Sequence, residues 1–311
     1  MKLCFSTDQH LATSVGRRKG AYVDDILEKE AYISGWAAGR GCSVVVWGGD
    51  LYDRPTVPRS IEQAVADMLD ESSVPRIVTL GQHCIGVGQL TTAGRSIHFL
   101  HFHRNVACVA DPGSPTCPTP GLMLYSNGCP DFWKHKTWQQ CDVAVVHNML
   151  SPAVLPFDHI HIPSIEGGPR VVLSGDLHTG FPVFEHDGTL WANPGALSRT
   201  FRSQDDLTRH PRFAVVDTDD PRVVWYEDIP DEFVRPVSEV YDKAGKAAEI
   251  RRNELRHSVS EAVAKIQESR TNTWASTLEN ARKRMAVANE IAALERLEEC
   301  CRMYEAGEED K

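Results

Sequence analysis

The sequence predicts a layered α/β domain followed by a helical C-terminal region. Over residues 1–200, short β-branched runs alternate with stretches at helical period, the pattern of repeated β-α-β units. After about residue 240 the strand pattern stops, glycine and proline become scarce, and apolar residues recur every three or four positions. The expected division is an α/β domain over 1–230 and a helical, partner-docking region over 231–311.

The elements follow in order. "KLCFST" opens the chain as a mostly apolar strand. "YVDDILEKEAYISGWAAG" brings Tyr22, Ile26, Ile33 and Trp36 close to helical spacing. "SVVVWGG" reads as a buried strand. "PRSIEQAVADMLDESS" places Ile61, Val65, Met68 and Leu69 on one helical face, and "RIVTL", "DVAVVH" and "RVVLSG" are three further strands. "ADPGSPTCPTPG" reads as a loop or the tip of an insertion. In the C-terminal region, Trp274, Leu278, Ala281, Met285, Ala288, Ile291, Leu294 and Leu297 form one apolar stripe. Such a stripe is buried against a partner, against the chain's own core, or against a second copy in a homodimer.

Composition narrows the class. With 41% hydrophobic and 24% charged residues, the 311-residue chain reads as an ordinary globular protein. No apolar run reaches the roughly 18–20 residues of a membrane helix, and "MKLCFSTDQH" turns polar too early for a signal peptide. Nine cysteines without a C-x-x-C pair point to reduced thiols and a cytoplasmic setting. A net charge of −10 is a poor match for nucleic-acid binding by bulk electrostatics alone, so a DNA substrate would need metal ions or a partner to supply part of the positive field.

The residues after each strand carry the chemistry. "DQH" (Asp8, His10) follows the first, "GGDLYD" (Asp50, Asp53) the second, and "GQH" (Gln82, His83) the third. His147 and Asn148 follow the fourth, and "GDLH" (Asp176, His178) the fifth. One histidine after a strand is more often structural than a ligand. Five strand ends in succession that carry metal-type donors are a different matter, because in α/β folds sites form at the carboxyl ends of strands. "HFLHFH" (His98, His101, His103) lacks an acidic companion and reads as a solvated helix face. There is no P-loop for ATP.

This order, D-x-H, GD-x-x-D, G-Q-H, H and GD-x-H, resembles the calcineurin-like metallophosphoesterase superfamily. "GDLYDRP" and "WANPGALSRTFRSQDDLTRHPRFAVVD" make it most similar to SbcD-type DNA-repair nucleases, over roughly residues 1–230. The resemblance implies a β-sandwich flanked by helices, with a helical extension that docks an SbcC-type coiled-coil ATPase. It implies one divalent ion on Asp8, His10, Asp50 and His178, and a second on Asp50, Gln82, His147 and Asp176. Two such ions, about 3.5–4 Å apart, clamp the attacking and leaving oxygens of an in-line displacement. His83 would assist the phosphate or the leaving oxygen without binding metal, and Asp53 would orient its ring. Apart from the resemblance, Arg17, Arg18 and Lys19 follow the first metal loop and read equally as a DNA phosphate contact or an exposed turn, and Arg199 and Arg202 have the same two readings.

The sequence departs from the family in two ligands. Gln82 stands where Asn is usual, and Asp176 where His is usual. The added hard oxygen favours Mn²⁺, or Mg²⁺, over Zn²⁺. Cys84 replaces a common acidic residue and reads as a small buried hydrophobe. Two alternatives share the motif: a phosphoprotein phosphatase or small-molecule phosphodiesterase, and a non-catalytic scaffold. The full donor set argues against the scaffold.

Overall fold

The computed structural model describes residues 1–12, 21–86, 89–127, 129, 131–135, 137–199, 209–220, 222–236 and 239. The chain divides into two units, Met1–Lys243 and Ala244–Lys311. The expected C-terminal stripe from Trp274 to Leu297 lies outside the described residues.

The elements run β1 (Lys2–Ser6), α1 (Ala21–Gly39), β2 (Val44–Trp47), α2 (Arg59–Glu71), β3 (Arg76–Val78) and a single turn α3 (Gln82–Ile85). They continue with β4 (Val106–Val109), β5 (Thr116–Thr119), β6 (Leu122–Tyr125), β7 (Val143–Val146), β8 (Leu150–Ser151), β9 (Ile160–His161) and β10 (Val171–Ser174). Four strands close the domain: β11 (Phe181–His186), β12 (Thr189–Asn193), β13 (Arg212–Asp217) and β14 (Val224–Asp228).

Among the described residues, the strands form two six-stranded sheets and one short pair, β8-β9. The first sheet runs β14-β13-β1-β2-β3-β4, with β1 to β4 mutually parallel and β13 antiparallel to β1. The second runs β11-β12-β10-β7-β6-β5, with β12, β10, β7 and β6 mutually parallel.

Strand alternation explains the layers. Side chains on successive residues face opposite sides of a sheet. Leu3, Phe5, Val44 and Val46 therefore pack against Val143, Val145, Val171 and Leu173 of the second sheet, making a dry sandwich interior. Cys4, Val45 and Trp47 face the other way, against Ile26 and Ile33 of α1 and Ile61 and Val65 of α2. The outer face of the second sheet, with Ala144, Val146, Val172 and Trp191, is covered by Phe132 and Trp138. The result is a β-sandwich flanked by helices, as the sequence predicts for this part of the chain. All four residues expected on the inner face of α2 are its buried ones.

Part of the Pro-rich stretch departs from expectation. Thr116–Thr119 is a strand, β5, at the edge of the second sheet. An edge position tolerates Pro118 because the missing N–H faces away from the ladder. His98 and His101 sit on a 3-10 turn, Ser96–Phe102, and both ring nitrogens approach Thr92 Oγ1, at 2.9 and 3.1 Å. Among the described residues, no helix is long and apolar enough to cross a membrane.

Candidate metal centre

The parallel strands β1, β2, β3, β7 and β10 all end at one edge of the sandwich. The loops that follow them deliver Asp8, His10, Asp50, His83, His147 and His178 to three overlapping groups. In each group the donor atoms all lie within 4.8 Å of one another. Asp8, His10, Asp50 and His147 have no exposed surface, and His178 is 9% exposed.

The backbone at these positions is unusual. Seven non-glycine residues among those described have positive φ, and four of them are Asp8 (57°), His10 (48°), Asp50 (49°) and Asp176 (72°). This left-handed region is costly for L-residues, and aspartate tolerates it better than most. Aspartate thus serves twice here, as an oxygen donor and as a residue that accepts the sharp turn out of a strand. Strain concentrated at donor positions is characteristic of functional sites. Space is equally tight. A Cβ on Gly81 would stand 2.0 Å from Asp50 Oδ1, and one on Gly49 (φ +113°) 2.1 Å from His147 Nδ1. Only glycine lets these loops come this close.

The donors are aimed by hydrogen bonds on their far sides. His147 Nδ1 lies 2.7 Å from the Gly48 carbonyl oxygen, so Nδ1–H donates and Nε2 turns inward, 3.3 Å from Asp50 Oδ2. Thr7 Oγ1 and the Asp176 N–H donate to Asp8 Oδ2 at 2.7 and 3.0 Å. That leaves Asp8 Oδ1 facing His178 Nε2 at 3.3 Å and His10 Nε2 at 3.6 Å. The His83 N–H donates to Asp50 Oδ1 at 2.9 Å. Four inward atoms, Asp8 Oδ1, Asp50 Oδ2, His147 Nε2 and Gln82 Oε1, are buried without a hydrogen-bond partner. Buried polar atoms are rarely left so. Carboxylate, imidazole and amide donors converging with unspent lone pairs fit hard or borderline divalent cations.

Charge compensation in the metal-free site falls to the histidines. Burial works against the charged form of His10, but Asp53 and Asp8 prevail and push its pKa up to about 9. Burial likewise opposes charge on His147, yet Asp50 raises its pKa to about 10. Burial would raise Asp8, but the His10 and His178 imidazoles facing its carboxylate hold it well below the usual carboxylate range. A cation must therefore displace protons from His10 and His147. Affinity for Mn²⁺ is expected to climb as pH rises from 7 toward 10, with protons released on binding. Calorimetry in two buffers of different ionisation enthalpy measures that release. The metal-free fold behaves oppositely. Histidines with raised pKa stabilise it fully below about 6.5, the unfolded value, and that stabilisation fades as pH climbs through 9 and 10.

The loop bearing Asp8 and His10 is clasped from both sides. On one side, Ser6 Oγ and Gln9 Nε2 donate to Glu30 Oε1 of α1 at 2.7 and 2.8 Å, and Trp47 Nε1 donates to Oε2 at 2.8 Å. Arg76 Nη2 completes the network 3.5 Å from the same oxygen, and Tyr22 Oη donates to the carbonyls of Gln9 and His10 at 3.2 Å. On the other side, the N-P-G-A-L-S segment spans the first and last motifs. The N–H groups of Leu197 and Ala196 donate to Thr7 and His178 carbonyls at 2.8 and 2.9 Å, and Ser198 Oγ donates to the Asp8 carbonyl at 2.6 Å. Breaking a buried charged network by removing one partner costs about 3–5 kcal/mol. Glu30→Ala is expected to lose stability of that size in urea unfolding, with Glu30→Gln losing less.

The remaining expected residues are placed as follows. The Asp53 carboxylate lies 3.1 Å from His10 Nδ1, whereas its carbonyl oxygen lies 2.9 Å from His83 Nδ1. Asp53 therefore meets His83 through its backbone, not through the carboxylate expected from the resemblance. Cys84 is fully buried in the core, and burial followed by the Asp50 charge raises its thiol to about 12, which fits an inert packing role. Arg199 is buried, with Nη2 donating to the Arg235 carbonyl at 2.5 Å, which differs from an open phosphate contact. Arg17, Arg18, Lys19 and Arg202 lie outside the described residues. Sequence reasoning missed Glu30, although its signal was present: Glu30 stands on the same helical stripe as Ile26 and Ile33.

No known family profile matches the chain, and no curated protein does. Solved structures do. A metallophosphoesterase from Sphaerobacter thermophilus is 15% identical over 82% of this chain and 94% of its own, with a TM-score of 0.36. A dimetal phosphatase from Danio rerio is 12% identical over 69% of this chain and 91% of its own, with a TM-score of 0.43. A protein from Thermus thermophilus is 11% identical over 74% of this chain and 99% of its own, with a TM-score of 0.45. These are low-identity similarities, and the chemistry of the chain is read from its own residues.

Proposed function

We propose that this chain is a divalent-metal-dependent phosphodiester hydrolase, a DNA nuclease of the SbcD type. The observation that carries the reading is the convergence of donors from five strand ends with four buried, unpartnered inward atoms. One ion would sit on Asp8, His10, Asp50 and His178. A second would sit on Asp50, His147 and the Gln82 amide that Asp176 holds, with Mn²⁺ or Mg²⁺ favoured by the oxygen donors. Ions held there supply Lewis acidity and charge compensation for the phosphoryl group.

The chain's own residues do the rest. His83 is the half-exposed imidazole at the rim, with a 30% exposed side chain. The Asp53 carbonyl accepts from its Nδ1–H and leaves Nε2 turned to the cleft. From there His83 gives a proton to the departing sugar oxygen or bonds a phosphoryl oxygen. The nuclease reading rests on the sequence resemblance of "GDLYDRP" and the N-P-G-A-L-S-R segment. The region beyond residue 240 is proposed to dock an SbcC-type coiled-coil ATPase, tested by comparing its retention on full-length chain and on chain cut near 240.

A second reading, a small-molecule phosphodiesterase or phosphoprotein phosphatase, is favoured by the charge of −10 and by the burial of Arg199. End-labelled single-stranded and duplex DNA, bis-p-nitrophenyl phosphate and a phosphopeptide, each with Mn²⁺ and with chelator, separate the two. The nuclease should cut DNA only with metal. Turnover of the diester or phosphopeptide alone favours the second reading, and no metal-dependent turnover overturns both.

A further inference from the structure

The two positions where this chain departs from the family touch each other. Gln82 Nε2 lies 3.0 Å from Asp176 Oδ1. A carboxylate can only accept, so the atom against it has to be the amide NH₂. The amide orientation is thereby fixed, and Gln82 Oε1 is turned the other way, buried and without a hydrogen-bond partner. Gln82 follows Gly81, whose backbone runs so close to Asp50 Oδ1 and His147 Nε2 that a Cβ there would meet both, so the loop that carries Gln82 borders these donors. Asp176 itself joins none of the three groups of converging carboxylate and imidazole donors among the described residues. Its N–H is engaged with Asp8 Oδ2, which anchors the carboxylate to the first group's loop.

We infer that Asp176 is a positioning residue: it holds the Gln82 amide so that Oε1, not the NH₂, is presented to the second cation. A glutamine has one more rotatable bond than asparagine and two nearly equivalent amide orientations. Without a fixed acceptor its amide is not oriented before the cation arrives, and the cation must turn the oxygen inward itself. The two departures then form one device in which a longer amide is matched by an acceptor that locks it. This rests on the two-ion reading above.

Mn²⁺ binding to the whole chain tests it, followed by titration calorimetry and by the spin coupling of paired Mn²⁺ in electron paramagnetic resonance. Circular dichroism melts check that each variant folds. Partners that orient a metal ligand typically contribute 10–100-fold in affinity. Asp176→Ala and Gln82→Ala should each lower second-ion affinity by about that factor. Asp176→Asn still offers an oxygen to the Gln82 NH₂, and should retain the second ion and the coupled signal. In the double variant Asp176→Ala/Gln82→Ala, affinity should match Gln82→Ala alone, because Asp176 acts through Gln82. A further drop in the double variant, or an Asp176→Asn as weak as Asp176→Ala, makes Asp176 a ligand in its own right and overturns the inference. An unaffected Asp176→Ala overturns it too. If the unaltered chain binds fewer than two ions, the two-ion reading fails instead.

Discussion

Asp50→Asn is expected to empty the centre and abolish hydrolysis while leaving a folded chain. Asp50 is the carboxylate that the groups around His10 and His147 share. Oδ1 accepts the His83 N–H, and Oδ2 stands 3.3 Å from His147 Nε2. The substitution keeps shape and removes one negative charge from both sides at once. Loss of a mere orienting partner costs 10–100-fold in metal affinity, so loss of the shared ligand should exceed about 100-fold for each ion. The charge of His147 is also set by Asp50, which is the main influence raising its pKa against burial. In the variant that proton should leave at lower pH, so part of the alkaline fall in stability of the metal-free protein should disappear. Equilibrium dialysis with Mn²⁺ and a urea melt at pH 7 and pH 9 report both effects. Retention of one ion at normal affinity would show that Asp50 is not shared.

His83→Ala should do the reverse, keeping ions and losing rate. The ring approaches Asp50 Oδ2 only to 4.0 Å and is the more exposed of the two, so it adds least to holding a cation. Its ring stands edge-on to His10 at 4.9 Å, which keeps it at the rim without sharing the first group's carboxylate. General acid–base assistance contributes about 10²–10⁴ in rate. A loss of that size in kcat with Mn²⁺ stoichiometry unchanged is the expected outcome. Because His83, His10 and Asp50 also form one of the three converging groups, loss of an ion in this variant would make His83 a ligand.

Much of the sandwich and the centre is legible in the sequence for one physical reason. A parallel strand buried on both faces writes itself as a β-branched run, as in Val44–Trp47 and Val171–Ser174, and the residue after it is where a site forms. What the sequence hides is anything that depends on what lies opposite. β5 is masked by Pro118, because only its place at the sheet edge makes proline harmless. Asp25, Lys29 and Ser34 are buried in α1 although their types read as solvent-facing: Lys29 pairs with Asp25 one turn away, Asp25 also accepts the Arg235 N–H, and Ser34 accepts from Arg76. Arg199 follows the same logic from the other direction: its type reads as surface, and its surroundings bury it. Asp53 shows the finest grain, since no sequence tells a carboxylate contact from a carbonyl one.

The place of β1 has a consequence for how the protein comes into being. This first strand is an inner one, lying between β2 and β13, and β13 begins only at Arg212. The loop after β1 is in turn fastened by Leu197 and Ser198. During synthesis the amino-terminal strand must therefore wait, one edge unpaired, for some two hundred residues to leave the ribosome. Pairings of such sequence separation form slowly and leave sticky edges exposed in the meantime. A nascent chain arrested before residue 212 should carry its aspartates and histidines as separate loops without a common centre. The centre thus waits on β13, which is made well after its last donor, His178.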